Sequence, residues 1–78
     1  MALKELVQTV ARALVDDPDS VEVREIEGEH HCVVELKVAK ADIGKVIGKD
    51  GKTAQSMRLL VAAASQKLGR RTHLDIVD

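Results

Sequence analysis

Gly48 and Gly51 stand where one helical pattern stops and a longer one starts, so the chain must turn sharply there on two intervening residues. Upstream, Ala41 to Ile47 sets Ile43, Val46 and Ile47 at i, i+3 and i+4, the spacing of a short amphipathic helix. Downstream, from about Lys52 to Leu68, Ala54, Met57, Val61, Ala64 and Leu68 recur in steps of three and four, with Leu60 widening the stripe. Glycine has no Cβ, so it takes the positive φ of a tight turn and lets another backbone come close. The pattern therefore predicts a helix, the turn Gly48-Lys49-Asp50-Gly51, and a second helix.

The rest of the chain frames that pair. Leu3, Leu6, Val7, Val10, Ala11 and Leu14 mark an amphipathic helix of about three turns, ended by Asp16-Asp17-Pro18-Asp19. Ser20 to Glu27 alternates as a strand, with Val21 and Val23 against Glu22 and Arg24; Ile26 is out of phase and predicts a bulge or a fraying end. After a turn at Gly28-Glu29-His30, a second strand from His31 to Ala39 puts Cys32, Val34, Leu36 and Val38 on one face. Gly69 suits a left-handed cap for the long helix, with Arg70 and Arg71 near its negative end. Thr72 to Val77 forms the last strand, with Leu74 and Ile76 inward. The order is αββααβ, read as one domain over residues 1–78.

Charge is concentrated although the net formal charge is only −1. Residues 1–36 carry three basic and nine acidic side chains; residues 37–58 carry six basic (Lys37, Lys40, Lys45, Lys49, Lys52, Arg58) against Asp42 and Asp50. A localised anion site needs such a segment. Phe, Tyr and Trp are absent, which excludes binders that stack bases on aromatic rings. With one cysteine there is no intrachain disulfide. No apolar run reaches the roughly 18 residues of a membrane span, and the N-terminal stretch has no signal-peptide pattern, so a cytoplasmic location without membrane contact is expected.

At the glycine turn these features converge on phosphate. The first N–H groups of a helix lack intrahelical partners and sit at its positive dipole end, so the helix beginning at Lys52 aims them at the turn. Lys49 and Lys52, with Lys45 one turn away, add mobile positive charge. Such a site holds a strand by its backbone without reading its sequence. An aliphatic groove formed by Ile43, Val46, Ile47, the start of the long helix and the edge of the second strand would take the bases, which accounts for the missing aromatics.

The run Ile43-Gly44-Lys45-Val46-Ile47-Gly48-Lys49-Asp50-Gly51 resembles the I-G-x-V-I-G-x-x-G signature of the KH family, and the αββααβ order resembles its type II arrangement, found mainly in bacteria. The resemblance covers the whole chain. It implies an α+β fold, a type II KH domain with a three-stranded mixed sheet packed on three helices. It implies a non-catalytic protein that clamps single-stranded RNA with Gly48, Lys49, Asp50 and Gly51, supported by Ile43, Gly44, Lys45, Val46, Ile47 and Lys52. Small free-standing KH proteins of this kind imply a homodimer, or a heterodimer with a larger KH-containing partner of the KhpB (Jag) type, in bacterial post-transcriptional regulation linked to cell shape. Asp50 sets a carboxylate in the clamp and so implies modest affinity.

Other chemistries fit less well. Gly51-Lys52-Thr53 ends like a Walker A loop, but that pattern needs glycine where Val46 stands. His30, His31 and Cys32 are adjacent, and neighbours in a strand face opposite ways, so no metal site is expected. No nucleophile, base and acid set presents itself, and no cofactor or small-molecule substrate is implied. The rival reading is a KH-shaped dimerisation module with weak or no RNA binding, prompted by the run Leu59 to Ala64, which is apolar on more than one face.

Overall fold

The computed structural model describes residues 3–77. Helix α1 (Leu3–Leu14) turns Leu3, Val7 and Ala11 inward. Its first turn is tied down by Glu25, whose carboxylate accepts the Lys4 backbone N–H at 3.2 Å. Beyond it a 3-10 turn spans Pro18–Ser20, where the alternation had placed the start of a strand. Proline opens that turn, and the Ser20 hydroxyl donates to Asp17 Oδ2 at 2.7 Å, so extended structure begins only at Glu22.

Strands β1 (Glu22–Glu27) and β2 (Cys32–Lys37) pair antiparallel, one residue against one, from Glu22 opposite Lys37 to Glu27 opposite Cys32. There is no bulge at Ile26. It lies opposite Val33 and is 46% exposed, on the sheet face turned away from the helices. The inward slot beside it belongs to Glu25, whose charge serves the α1 terminus. The phase break was a change of which face carries the apolar residue, not a break in the ladder.

The chain then takes a 3-10 turn at Lys40–Asp42 into helix α2 (Ile43–Ile47), crosses the glycine turn, and runs through helix α3 (Lys52–Lys67). Strand β3 (Thr72–Val77) pairs parallel with β2, Cys32 opposite Thr72 and Lys37 opposite Val77, giving the order β1-β2-β3. The expected mixed sheet and three helices are therefore present. α1 packs on β1 and β2, α3 on β3, and α2 on α3.

The core is aliphatic: Val7 and Ala11 meet Val23, Val34 and Leu36 of the sheet, with Val46, Met57, Val61 and Leu74 completing it. Each such side chain contributes on the order of 1.5–3 kcal/mol on burial. Along α3 the inward stripe is Ala54, Met57, Val61 and Ser65. It departs from the predicted one at its end: Ala64 is only half-buried and Leu68 is 53% exposed. At 3.6 residues per turn the position four after Val61 returns to the core side, and Ser65 satisfies its hydroxyl on the Ala62 carbonyl at 3.1 Å. Gly69, at φ 70°, ends α3 as expected. Its N–H bonds Gln66 O and that of Arg70 bonds Ser65 O, a Schellman closure. Among the described residues no helix is long and apolar enough to cross a membrane.

Candidate nucleic-acid interface

Gly48 takes φ 77°, ψ 174°, and a Cβ built on it would stand 2.1 Å from Thr53 Oγ1 and 2.6 Å from Thr53 Cβ. Both conformation and space demand glycine there. Asp50 (φ 58°, ψ 24°) and Gly51 (φ 73°, ψ 12°) follow in the left-handed region. The turn is closed by Gly51 N–H to Gly48 O at 3.2 Å and tied back to α2 by Gly48 N–H to Gly44 O at 2.9 Å. Aspartate is one of the few side chains that tolerates left-handed backbone. Asp50 thus has a conformational reason to stand in this turn, which the sequence did not disclose.

No side chain caps the N-terminus of α3; its first N–H, that of Lys52, is taken by the Lys49 carbonyl, so any capacity to meet an anion lies with the N–H groups that follow it. Lys49 and Lys52 are exposed and, among the described residues, enter no ion pair. Lys45 is placed differently from expectation. Its ammonium bonds the Asp16 carboxylate and, at 3.4 Å, Asp42 Oδ1. The bond to Asp16 chiefly holds its pKa above the usual lysine value, against some desolvation. Lys37 points from β2 to the face of the sheet away from the helices, beside Glu22 and Arg24. The basic segment is therefore not one patch; the exposed lysines it leaves at the turn are Lys49 and Lys52.

The supporting helix divides likewise. Val46 is fully buried and anchors α2 in the core, Ile43 is half-buried, and Ile47 is 39% exposed. Ile47 and the rim of Ile43 remain available to a ligand, whereas Val46 does not. Gly44 is exposed, and a Cβ there would meet nothing within 4 Å. A glycine inside a helix costs about 1 kcal/mol relative to alanine, and no contact among the described residues requires it.

The groove also lies elsewhere than expected. β2 is the central strand and offers no free edge. The open edge beside α3 is β3, and between them runs a groove of about 840 Å³ whose walls include Leu59, Ala62, Arg58, Arg71 and His73. Arg58 Nε donates to the Leu74 carbonyl at 3.5 Å, fixing its guanidinium over the strand. Arg70 is paired with Glu27 at 3.1 Å. The sequence signal for this basic rim was present in Arg70-Arg71, but it was absorbed by the helix-end dipole. His31 and His73 meet edge to face, ring centroids 6.3 Å apart, while Cys32 turns into the core. Burial, reinforced by Glu25, raises the Cys32 pKa.

A glycine-bracketed turn joining two helices, set on a mixed three-stranded sheet in the order αββααβ, defines a KH domain of type II. The fold matches a crystal structure of Era from Aquifex aeolicus with TM-score 0.63 and 23% identity, over 95% of this chain; the match spans 29% of the Era chain. The family model described as KhpA/KhpB, KH domain, matches residues 4–76. This chain belongs to that family, a non-enzymatic one. It is 55% identical over 73 residues to the RNA-binding protein KhpA of Caldanaerobacter subterraneus, covering 94% of this chain and 97% of the relative. It is 47% identical over 77 residues to the RNA-binding protein KhpA of Aquifex aeolicus, covering 99% and 98%.

Proposed function

We propose that this chain is a single-KH-domain protein, spanning residues 1–78, that holds short single-stranded RNA by its sugar-phosphate backbone. The turn Gly48-Lys49-Asp50-Gly51 is the clamp, and Lys49 and Lys52 supply its charge. Ile43, Gly44 and Ile47 face the strand, and the bases lie along the α3–β3 groove. The observation that carries this reading is a turn that demands glycine at Gly48, laid against a helix N-terminus without a side-chain cap, with Lys49 and Lys52 in no ion pair among the described residues. The relatives named RNA-binding protein KhpA support it. The groove begins near Arg58, seven residues into α3, or about 10 Å along the axis from the turn, so a strand seated on the turn passes into it within two nucleotides.

The protein works in the bacterial cytoplasm, in post-transcriptional regulation linked to cell shape. It acts as a homodimer or with a larger KhpB-type KH partner. Lys49→Asp, which with Asp50 turns the clamp acidic, is expected to lower affinity for a fluorescent eight-nucleotide RNA at least about tenfold with an unchanged circular dichroism spectrum. Unchanged affinity in a folded variant would remove the turn from the interface. With about two to four phosphates neutralised, log affinity should fall against log salt with a slope between about −1.4 and −2.8. A second reading, a protein–protein module, is favoured by Leu59 and Leu60, 72% and 50% exposed. Crosslinking in cells separates the two by whether RNA or protein is the dominant partner.

A further inference from the structure

Asp42 stands at the N-cap of α2, where an aspartate ordinarily accepts an N–H from its own helix. It makes no such bond. Its carboxylate is instead buried, at 2% exposure, against the connection between α1 and β1. Oδ2 accepts the Asp17 backbone N–H at 3.1 Å, and Oδ1 accepts the Lys45 ammonium, which also reaches Asp16. Three points on two segments some twenty-five residues apart are thereby joined through one carboxylate. The Asp17 side is itself braced by the Ser20 hydroxyl.

What this holds is α2. A helix of five residues is far below the length at which a helix sustains itself, so its place depends on tethers. One is Val46 in the core; the other is this carboxylate at its opposite end. The turn follows directly, and Gly48 hangs from Gly44 by its N–H. Any drift of α2 is passed to the clamp.

We propose that Asp42 is a positioning residue for the clamp, and that Lys45 is its counter-ion rather than a phosphate ligand. The inference rests on the reading of the turn as a phosphate clamp, and it reassigns one of the lysines of that segment. Neutralising Lys45 should then weaken RNA binding only by loosening α2, whereas neutralising Lys49 removes a contact.

The test measures binding of the same eight-nucleotide RNA between 25 and 200 mM salt for wild type, Lys49→Ala, Lys45→Met and Asp42→Asn. Amide spectra of the free proteins are recorded alongside. Lys49→Ala should flatten the log–log slope by about 0.7, one single-strand phosphate. Lys45→Met and Asp42→Asn should keep the wild-type slope, lose several-fold in affinity, and shift the Gly48 and Gly51 amide resonances without RNA. Lys45→Met flattening the slope as Lys49→Ala does would make Lys45 a phosphate ligand and overturn the proposal. So would Gly48 and Gly51 resonances unmoved in both variants. Lys45 is partly exposed, so Lys45→Met keeps the fold should Asp42→Asn lose it. A wild type that binds no RNA sinks the functional reading and with it the clamp; the resonances then decide only whether Asp42 and Lys45 position the turn.

Discussion

At the residue scale the turn Gly48-Lys49-Asp50-Gly51 is governed by backbone conformation before charge. Gly48→Ala must both adopt φ 77° and displace Thr53, so it should cost more than about 2 kcal/mol in urea unfolding. Gly51→Ala meets nothing and carries only the left-handed penalty, about 1 kcal/mol. Similar losses for the two would mean that the Thr53 contact does not matter. Asp50→Asn keeps a residue tolerant of the left-handed region and removes the carboxylate that would face phosphate in the proposed clamp. Roughly two- to fivefold tighter RNA binding at low salt is expected, shrinking as salt screens it. A weaker complex would assign the carboxylate an attractive role. Thr72 raises a separate question, because its Oγ1 is buried with no hydrogen-bond partner among the described residues. Thr72→Val keeps the shape and removes the orphan hydroxyl, so it should raise stability by about 1 kcal/mol. A loss would show that the hydroxyl is satisfied after all.

At the scale of elements, the Asp42 link makes stability depend on pH at both extremes. Burial alone would raise the Asp42 pKa. The N–H groups of Asp16 and Asp17 and the Lys45 ammonium outweigh it, and the carboxyl titrates below its ordinary value near 3.8. The unfolded chain therefore takes up this proton first, and the link's contribution is present above pH 3.8 and lost as pH falls through the lower folded value. Lys45 behaves conversely: its folded pKa is raised, so its share is complete below 10.5 and lost as pH rises through the folded value. Asp42→Asn should flatten the acid limb of a stability–pH curve measured by urea unfolding. An unchanged limb would show that the carboxylate carries no linkage. This link also marks how far the sequence could be read. The six main elements and the turn were legible because hydrophobic period and glycine placement are local signals. The diversion of Lys45 was not, since Asp16 lies twenty-nine residues before it and meets it only through the fold. That β2 has no free edge was hidden for the same reason: its central place follows from its parallel pairing with β3 across the whole α2–α3 crossover. Ile26 could not be assigned a face until Glu25 was seen to serve α1.

For the whole molecule, α3 exposes apolar surface on two sides, and neighbouring residues of a helix project about 100° apart. Leu59 faces the basic groove with Ala62 and Arg58. Leu60 lies instead over α1, in a shallow depression formed with Leu6 and Val10. A chain of 78 residues buries only a little over 60% of its unfolded surface, so closing this depression against a second copy adds apolar burial that one copy lacks. If the chain self-associates there, the two sides are separable, the Leu60 side taken by the second copy and the Leu59 side left to the proposed nucleic-acid contact. A dimer formed there leaves both clamps open, and two weak grips on one RNA gain from effective concentration. Sedimentation at tens of micromolar should show a dimer for wild type and Leu59→Glu, and a monomer for Leu60→Glu. Leu59→Glu should weaken RNA binding even to a monomer-sized oligonucleotide. Leu60→Glu should spare a short RNA and weaken only one long enough to span two clamps. A monomeric wild type, or a Leu60→Glu protein that remains dimeric, would place the partner surface elsewhere and leave bivalent binding without a basis.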